Sequence, residues 1–180
     1  KIAVIISDAF RYEIGTELMD VIRREDRYEA DLECMVSVLP SATAFGMAAL
    51  LPHQTLSFTR DGAVFADGAS TQGTQNRSAI LAEHIPDGAV ALTSGTLLEM
   101  VKEERRALFR NNQVIYIYHN QIDALGDDRA TEDQVFKAAE DTIYELVDIV
   151  KKMTNANATN LIVTADHGFI YQNETLEESD

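Results

Sequence analysis

One apolar run that ends in an adjacent acid and imidazole constrains this chain most: Leu161-Ile162-Val163-Thr164-Ala165-Asp166-His167-Gly168. Continuous β-branched runs are the mark of parallel strands buried on both faces. In open α/β sheets, ligands gather at the carboxyl ends of such strands. A carboxylate and an imidazole placed there are natural ligands for zinc-like ions, and the following Gly permits close backbone approach. The N-terminus repeats the layout, with Ile2-Ala3-Val4-Ile5-Ile6-Ser7 ending in Asp8. Either tip alone has a plain reading, since an Asp after a strand also serves as the N-cap of the next helix.

Strand-like runs recur at 2–7, about 30–38, 63–66, 89–93, 113–118 and 160–165, with helical patterns between most of them. Helices are expected at about 11–25 and 96–109 and after Thr131, where Ala139, Ile143, Leu146, Val147 and Val150 recur at helical spacing. That alternation predicts an α/β fold: three α/β/α layers around a mostly parallel sheet. Residues 52–88 carry Asp-Gly turn signals and predict an excursion, a short hairpin plus a helix near 76–84. One domain over residues 1–180 is expected at this length.

The bulk properties exclude several classes. No apolar run in this sequence reaches the length of a membrane span, and no signal peptide is expected from it. A net charge of −15 argues against a surface that grips nucleic acid through its phosphates. It leaves open a metal site that draws phosphate locally, because a bound cation inverts the local electrostatics. The single cysteine, Cys34, has no internal disulfide partner and is expected to be buried in a reducing compartment, the cytoplasm. The missing initiator Met, the immediate strand and the acidic tail 174–180 predict a piece of a larger protein.

Two further elements carry candidate chemistry. In Leu39-Pro40-Ser41-Ala42-Thr43-Ala44-Phe45-Gly46 a helix is expected to begin near Thr43. A hydroxyl there, of Ser41 or Thr43, is either a helix cap or a metal-activated nucleophile whose phosphorylated form profits from the helix N-terminus, and the two residues of the pair can divide the roles. A strand over 114–118 ends in His119, followed by Asp123 and Asp127 at a spacing that shares one helical face. Those carboxylates either surround a cation or form a solvated acidic loop. His119 orients a carboxylate or is a satisfied histidine at a strand end. Arg11 has two readings, a phosphate contact or an ion pair with Glu13 or Glu17. His53 and His84 are assigned no role.

Taken together, Ser7-Asp8-Ala9-Phe10-Arg11-Tyr12-Glu13, Leu39-Pro40-Ser41-Ala42-Thr43, Gly46-Met47-Ala48-Ala49-Leu50-Leu51-Pro52, Asp67-Gly68-Ala69-Ser70-Thr71-Gln72-Gly73, Tyr116-Ile117-Tyr118-His119-Asn120-Gln121-Ile122-Asp123 and Thr164-Ala165-Asp166-His167-Gly168 resemble the PglZ family. This family is the alkaline-phosphatase-superfamily component of BREX phage-defence systems, and its type A branch is the best match. The resemblance spans nearly the whole chain and implies an alkaline-phosphatase-like core. It implies that Asp8, Asp166 and His167 hold one metal touched by Thr43, the nucleophile, and that Asp123 holds a second. The superfamily often has His where this chain has Asp127, so the second ligand set departs from the pattern. A further His usually follows downstream, beyond the last residue here, so the second site of this stretch is expected to be underfilled.

The implied activity is phosphomonoester or phosphodiester hydrolysis in antiviral defence, with two divalent ions, zinc first and manganese as the alternative. The implied partners are a phosphoester such as a nucleotide or oligonucleotide, and other BREX proteins. The rival activities are a mutase and a sulfatase of the same superfamily, and the sulfatase is disfavoured because sulfatases generally use a modified Cys or Ser where this chain has Thr43. The alternative function is a catalytically incompetent module that contributes protein contacts to a defence complex.

Overall fold

The computed structural model describes residues 1–120 and 132–168. Its organising element is the first strand, β1 (Ile2–Ser7), which lies inside a four-stranded parallel sheet. The other strands are β5 (Ala89–Thr93), β6 (Val114–His119) and β7 (Leu161–Ala165), in the order β5-β6-β1-β7. Register sets Ser7 beside His119 on one side and beside Ala165 on the other. The residues after β1 and β7 therefore leave the sheet at one level, and that shared level makes a site.

Helices cover both faces. On one lie α1 (Tyr12–Arg23), α4 (Ser94–Glu99), α5 (Lys102–Asn111) and α6 (Glu132–Thr154). Ile14, Leu18 and Ile22 recur four apart on α1 and meet Ile5, Ile117, Leu146 and Ile149 in the larger core. Ile5, Ile117, Leu146 and Ile149 are fully buried, and each such side chain contributes roughly 1.5–3 kcal/mol. The opposite face carries α2 (Thr43–Ala49) and α3 (Gly73–His84), whose Met47, Ile80 and Leu81 pack with Ile6 and Tyr118. The result is the expected three-layer α/β/α arrangement, consistent with an alkaline-phosphatase-like core. No helix among the described residues is long and apolar enough to cross a membrane.

The excursion is a small antiparallel sheet of β2 (Leu56–Phe58), β3 (Val64–Ala66) and β4 (Ala69–Ser70). It is one strand richer than the expected hairpin, and α3 starts three residues before the expected point.

Three expectations need correction. Residues 30–38 form no ladder with any described strand. The segment is held instead by side-chain bonds, Arg23 to the Ala30 carbonyl and Ser37 to the Asp166 carbonyl, and Met35 and Val36 face solvent. Apolar content supplies strand propensity, but a strand needs a partner that local sequence does not reveal. Cys34 lies in that segment and is exposed, not buried. The helix expected over 96–109 is two helices, because Met100 and Val101 are extended. There the Glu104 carboxylate accepts the Val101 amide at 2.9 Å and starts α5 afresh.

Candidate metal centre

Asp8 is not a helix cap: α1 has Arg11 at its N-cap, three residues on. The turn after β1 is tight, with Ala9 in the left-handed region at φ 57°, a conformation an Ala adopts at a cost. It is held by the Ala9 amide, which donates to Asp166 Oδ1 at 3.2 Å, while the Asp8 amide donates to the His119 carbonyl at 2.8 Å. The β1 tip is thus tied to both neighbouring strands. Asp8 and Asp166 are 2% and 3% exposed, and buried carboxylates need partners or a cation.

Thr43 likewise caps nothing. The N-cap of α2 is Ala42, and no side chain closes that helix. The Thr43 hydroxyl instead donates toward Asp8 Oδ1 at 3.4 Å and lies 3.0 Å from His167 Nε2. What brings α2 this close is Gly46, one turn on. A methyl built there would sit 2.3 Å from the Asp166 carbonyl oxygen, closer than any real contact. Nothing in the local pattern marked Gly46, since its reason is a neighbour 120 residues away.

The ligand atoms of Asp8, Asp166 and His167 all lie within 4.8 Å of one another. His167 Nε2 is 3.3 Å from Asp8 Oδ1 and 3.5 Å from Asp166 Oδ2. Its other nitrogen, Nδ1, faces the Gly168 carbonyl at 2.9 Å. A carbonyl only accepts, so Nδ1 carries a hydrogen, and Nε2 is the nitrogen that faces the two carboxylates. Asp166 Oδ1 takes amide hydrogens from Ala9 and His167, whereas its buried Oδ2 has no hydrogen-bond partner. An orphaned carboxylate oxygen, a second carboxylate and an imidazole nitrogen turned on one point fit a divalent cation. One nitrogen and two oxygens are an acceptable donor set for zinc.

Arg11 packs against Gly168, its Cγ 3.8 Å from where a methyl on that glycine would lie. Its guanidinium grips Glu13 through two bonds of 2.8 and 3.1 Å, the ion-pair alternative of the sequence. His53 and His84 each bond a nearby backbone carbonyl. Asp123 and Asp127 lie outside the described residues.

The family model for the BREX system PglZ alkaline phosphatase-like domain matches residues 1–180. The chain belongs to the PglZ family. It is 45% identical over 183 residues to the alkaline phosphatase-like protein BrxZ of Escherichia coli O9:H4 (strain HS). It is 41% identical over 181 residues to the alkaline phosphatase-like protein PglZ of Bacillus cereus (strain H3081.97). Each alignment covers all of this chain and 21% of the relative, so the chain spans about a fifth of their length. The PglZ match takes in the β1 tip, the start of α2 and the β7 tip together.

Proposed function

We propose that this PglZ domain carries the nucleophile and one metal site of a divalent-metal-dependent phosphoester hydrolase acting in antiphage defence. The observation that carries the reading is the convergence of Asp8, Asp166 and His167 on one point beside the Thr43 hydroxyl. Asp8, Asp166 and His167 would hold the first ion, zinc or manganese, and Asp123 with Asp127 would contribute to a second. A divalent cation there supplies Lewis-acid charge, which favours an ionised hydroxyl and offsets charge on phosphoryl oxygens. Thr43 Oγ loses its proton to solvent and attacks phosphorus; the Oγ–P bond forms as the bond to the leaving oxygen breaks, and that oxygen takes a proton from solvent and departs as the alcohol. Water then attacks phosphorus and the Oγ–P bond breaks, which returns a proton to Thr43 Oγ and releases phosphate from a monoester or a phosphomonoester from a diester. Arg11 would exchange the Glu13 carboxylate for a phosphoryl oxygen, an inexpensive change because exposed pairs contribute little. A nucleotide or oligonucleotide is the proposed substrate class, the cytoplasm the proposed compartment and other BREX proteins the proposed partners.

The test is Thr43→Ala in the full-length protein, assayed on bis-p-nitrophenyl phosphate with zinc or manganese. Hydrolysis should fall by at least about 10³-fold, with the melting temperature nearly unchanged because no cap is lost. Thr43→Ser should retain measurable turnover. Activity within a few-fold of wild type in Thr43→Ala would show that another group attacks. A wild type without turnover would favour the protein-contact role instead.

A further inference from the structure

Beneath the Asp8 tip, on the opposite face of the sheet, lies a polar trio, buried Ser7 and His119 with half-buried Glu145, that the proposed reaction does not use. Ser7 Oγ is 2.9 Å from His119 Nδ1, and His119 Nε2 faces Glu145 Oε1 on α6 at 3.5 Å. Ser94, at the start of α4, reaches the same Glu145 oxygen at 3.4 Å. Ser7 is fully buried and His119 is 1% exposed, so no substrate reaches them. They form the last rung of the β1–β6 ladder, directly above the apolar rung Ile5–Ile117. Another apolar pair there would continue the core without desolvating an imidazole and a hydroxyl. The polar rung needs another reason.

Its place supplies one. Side chains alternate along a strand, so Ser7 points toward α6 while the next residue, Asp8, turns toward Thr43. The Asp8 amide also donates to the carbonyl of His119 itself. His119 therefore holds the β1 tip twice, once by side chain and once by backbone. With Glu145 facing Nε2, the hydrogen sits on Nε2, and Nδ1 accepts from the Ser7 hydroxyl. We propose that Ser7, His119 and Glu145 form a positioning device that fixes the Asp8 carboxylate in its ligating orientation. The inference rests on the metal-site reading above. His119 is a positioning residue, acting through Ser7 and Asp8 and touching neither metal nor substrate.

The test uses the full-length protein, with zinc affinity from chelator competition, melting without metal, and kcat and KM on bis-p-nitrophenyl phosphate. His119→Ala should weaken zinc binding about 10–100-fold, the usual effect of removing a group behind a ligand, and lower kcat while KM holds. Ser7→Ala, a small change that keeps the fold, should move both in the same direction. The double variant should be no worse than His119→Ala alone, because both act through one contact. His119→Asn, which restores an acceptor for Ser7, should recover part of the affinity. Zinc affinity within two-fold of wild type in Ser7→Ala overturns the proposal, as does a loss confined to metal-free melting. A wild type that binds no zinc overturns the metal-site reading and this inference with it, a different result from wild-type binding that the variants leave untouched.

Discussion

Two aspartates show how differently one residue type is used in this molecule. Asp67, in the turn between β3 and β4, gives its oxygens to the amides of Gln54 and Thr55 and the hydroxyl of Thr55, at 2.8–2.9 Å. Asp166, at the tip of β7, spends one oxygen on amides and leaves the other buried, bare and 3.5 Å from an imidazole nitrogen. The first carboxylate is satisfied by the chain that carries it and organises a turn. The second is only half satisfied by the chain, and a cation would complete it. What marks Asp166 as a candidate ligand is a buried lone pair that no hydrogen bond takes, where the exposed Asp67 has both oxygens engaged.

The neighbouring glycines repeat the contrast and give the largest expected effect. Gly68 follows Asp67 at φ 85° with open space around it, while Gly46 is helical and pressed against the Asp166 carbonyl. Gly46→Ala adds a better helix former, worth about 1 kcal/mol in isolation, yet forces α2 away from β7. The clash should outweigh the propensity and destabilise by about 1–3 kcal/mol, with metal binding and turnover abolished. Gly68→Ala should cost about 1–2 kcal/mol through its left-handed backbone alone and leave metal binding intact. Calorimetry with and without zinc reads both. A Gly46→Ala protein that melts higher and still binds zinc would remove the close approach from the account.

Exchanging the acids should split the two roles with a somewhat smaller effect. At a metal concentration of 100 times Kd, a ligand bound only to the native state adds about 2.7 kcal/mol, or roughly 5–11 °C for a chain of this length. Asp166→Asn keeps an acceptor for the Ala9 and His167 amides, so metal-free melting should hold while most of that rise disappears. Asp67→Ala should do the reverse, lowering metal-free melting and keeping the rise. Equal responses of both variants to zinc would mean that the bare oxygen of Asp166 is not a ligand.

The same contrast explains what the sequence showed. Strands β1, β5, β6 and β7 were legible to within a residue, because burial on both faces writes itself as continuous apolar runs. Asp8, Thr43, Asp166 and His167 were legible as candidates, since strand tips and helix starts are local features. Their convergence needed register and the approach of α2, which Gly46 sets from a distance. The break at Met100 was hidden because Leu97, Leu98, Val101 and Leu108 keep helical spacing across it, while the Glu104 cap competes only locally. Residues 30–38 have the composition of a strand and lack a described partner, a fact about neighbours that composition does not hold.

The smallest expected effect is an acid-limb signature of Asp67. Amide donors from Gln54 and then Thr55 favour its charged form and hold its carboxyl below the ordinary 3.8. The unfolded chain therefore takes up the proton more readily than the folded one. The contribution is present above about pH 3.8, the unfolded value, and is lost as pH falls through the lower folded value. Asp61 and Glu13 are lowered as well, by Thr59 and Arg11 respectively, so Asp67 accounts for only part of the slope. Melting curves of metal-free wild type and Asp67→Asn, recorded from about pH 6 to about pH 2.5, should differ at the upper end and converge at the lower. Curves that stay parallel would show that the turn amides bind the protonated side chain equally well, and Asp67 would then be a spacer and not an anion receptor for its own turn.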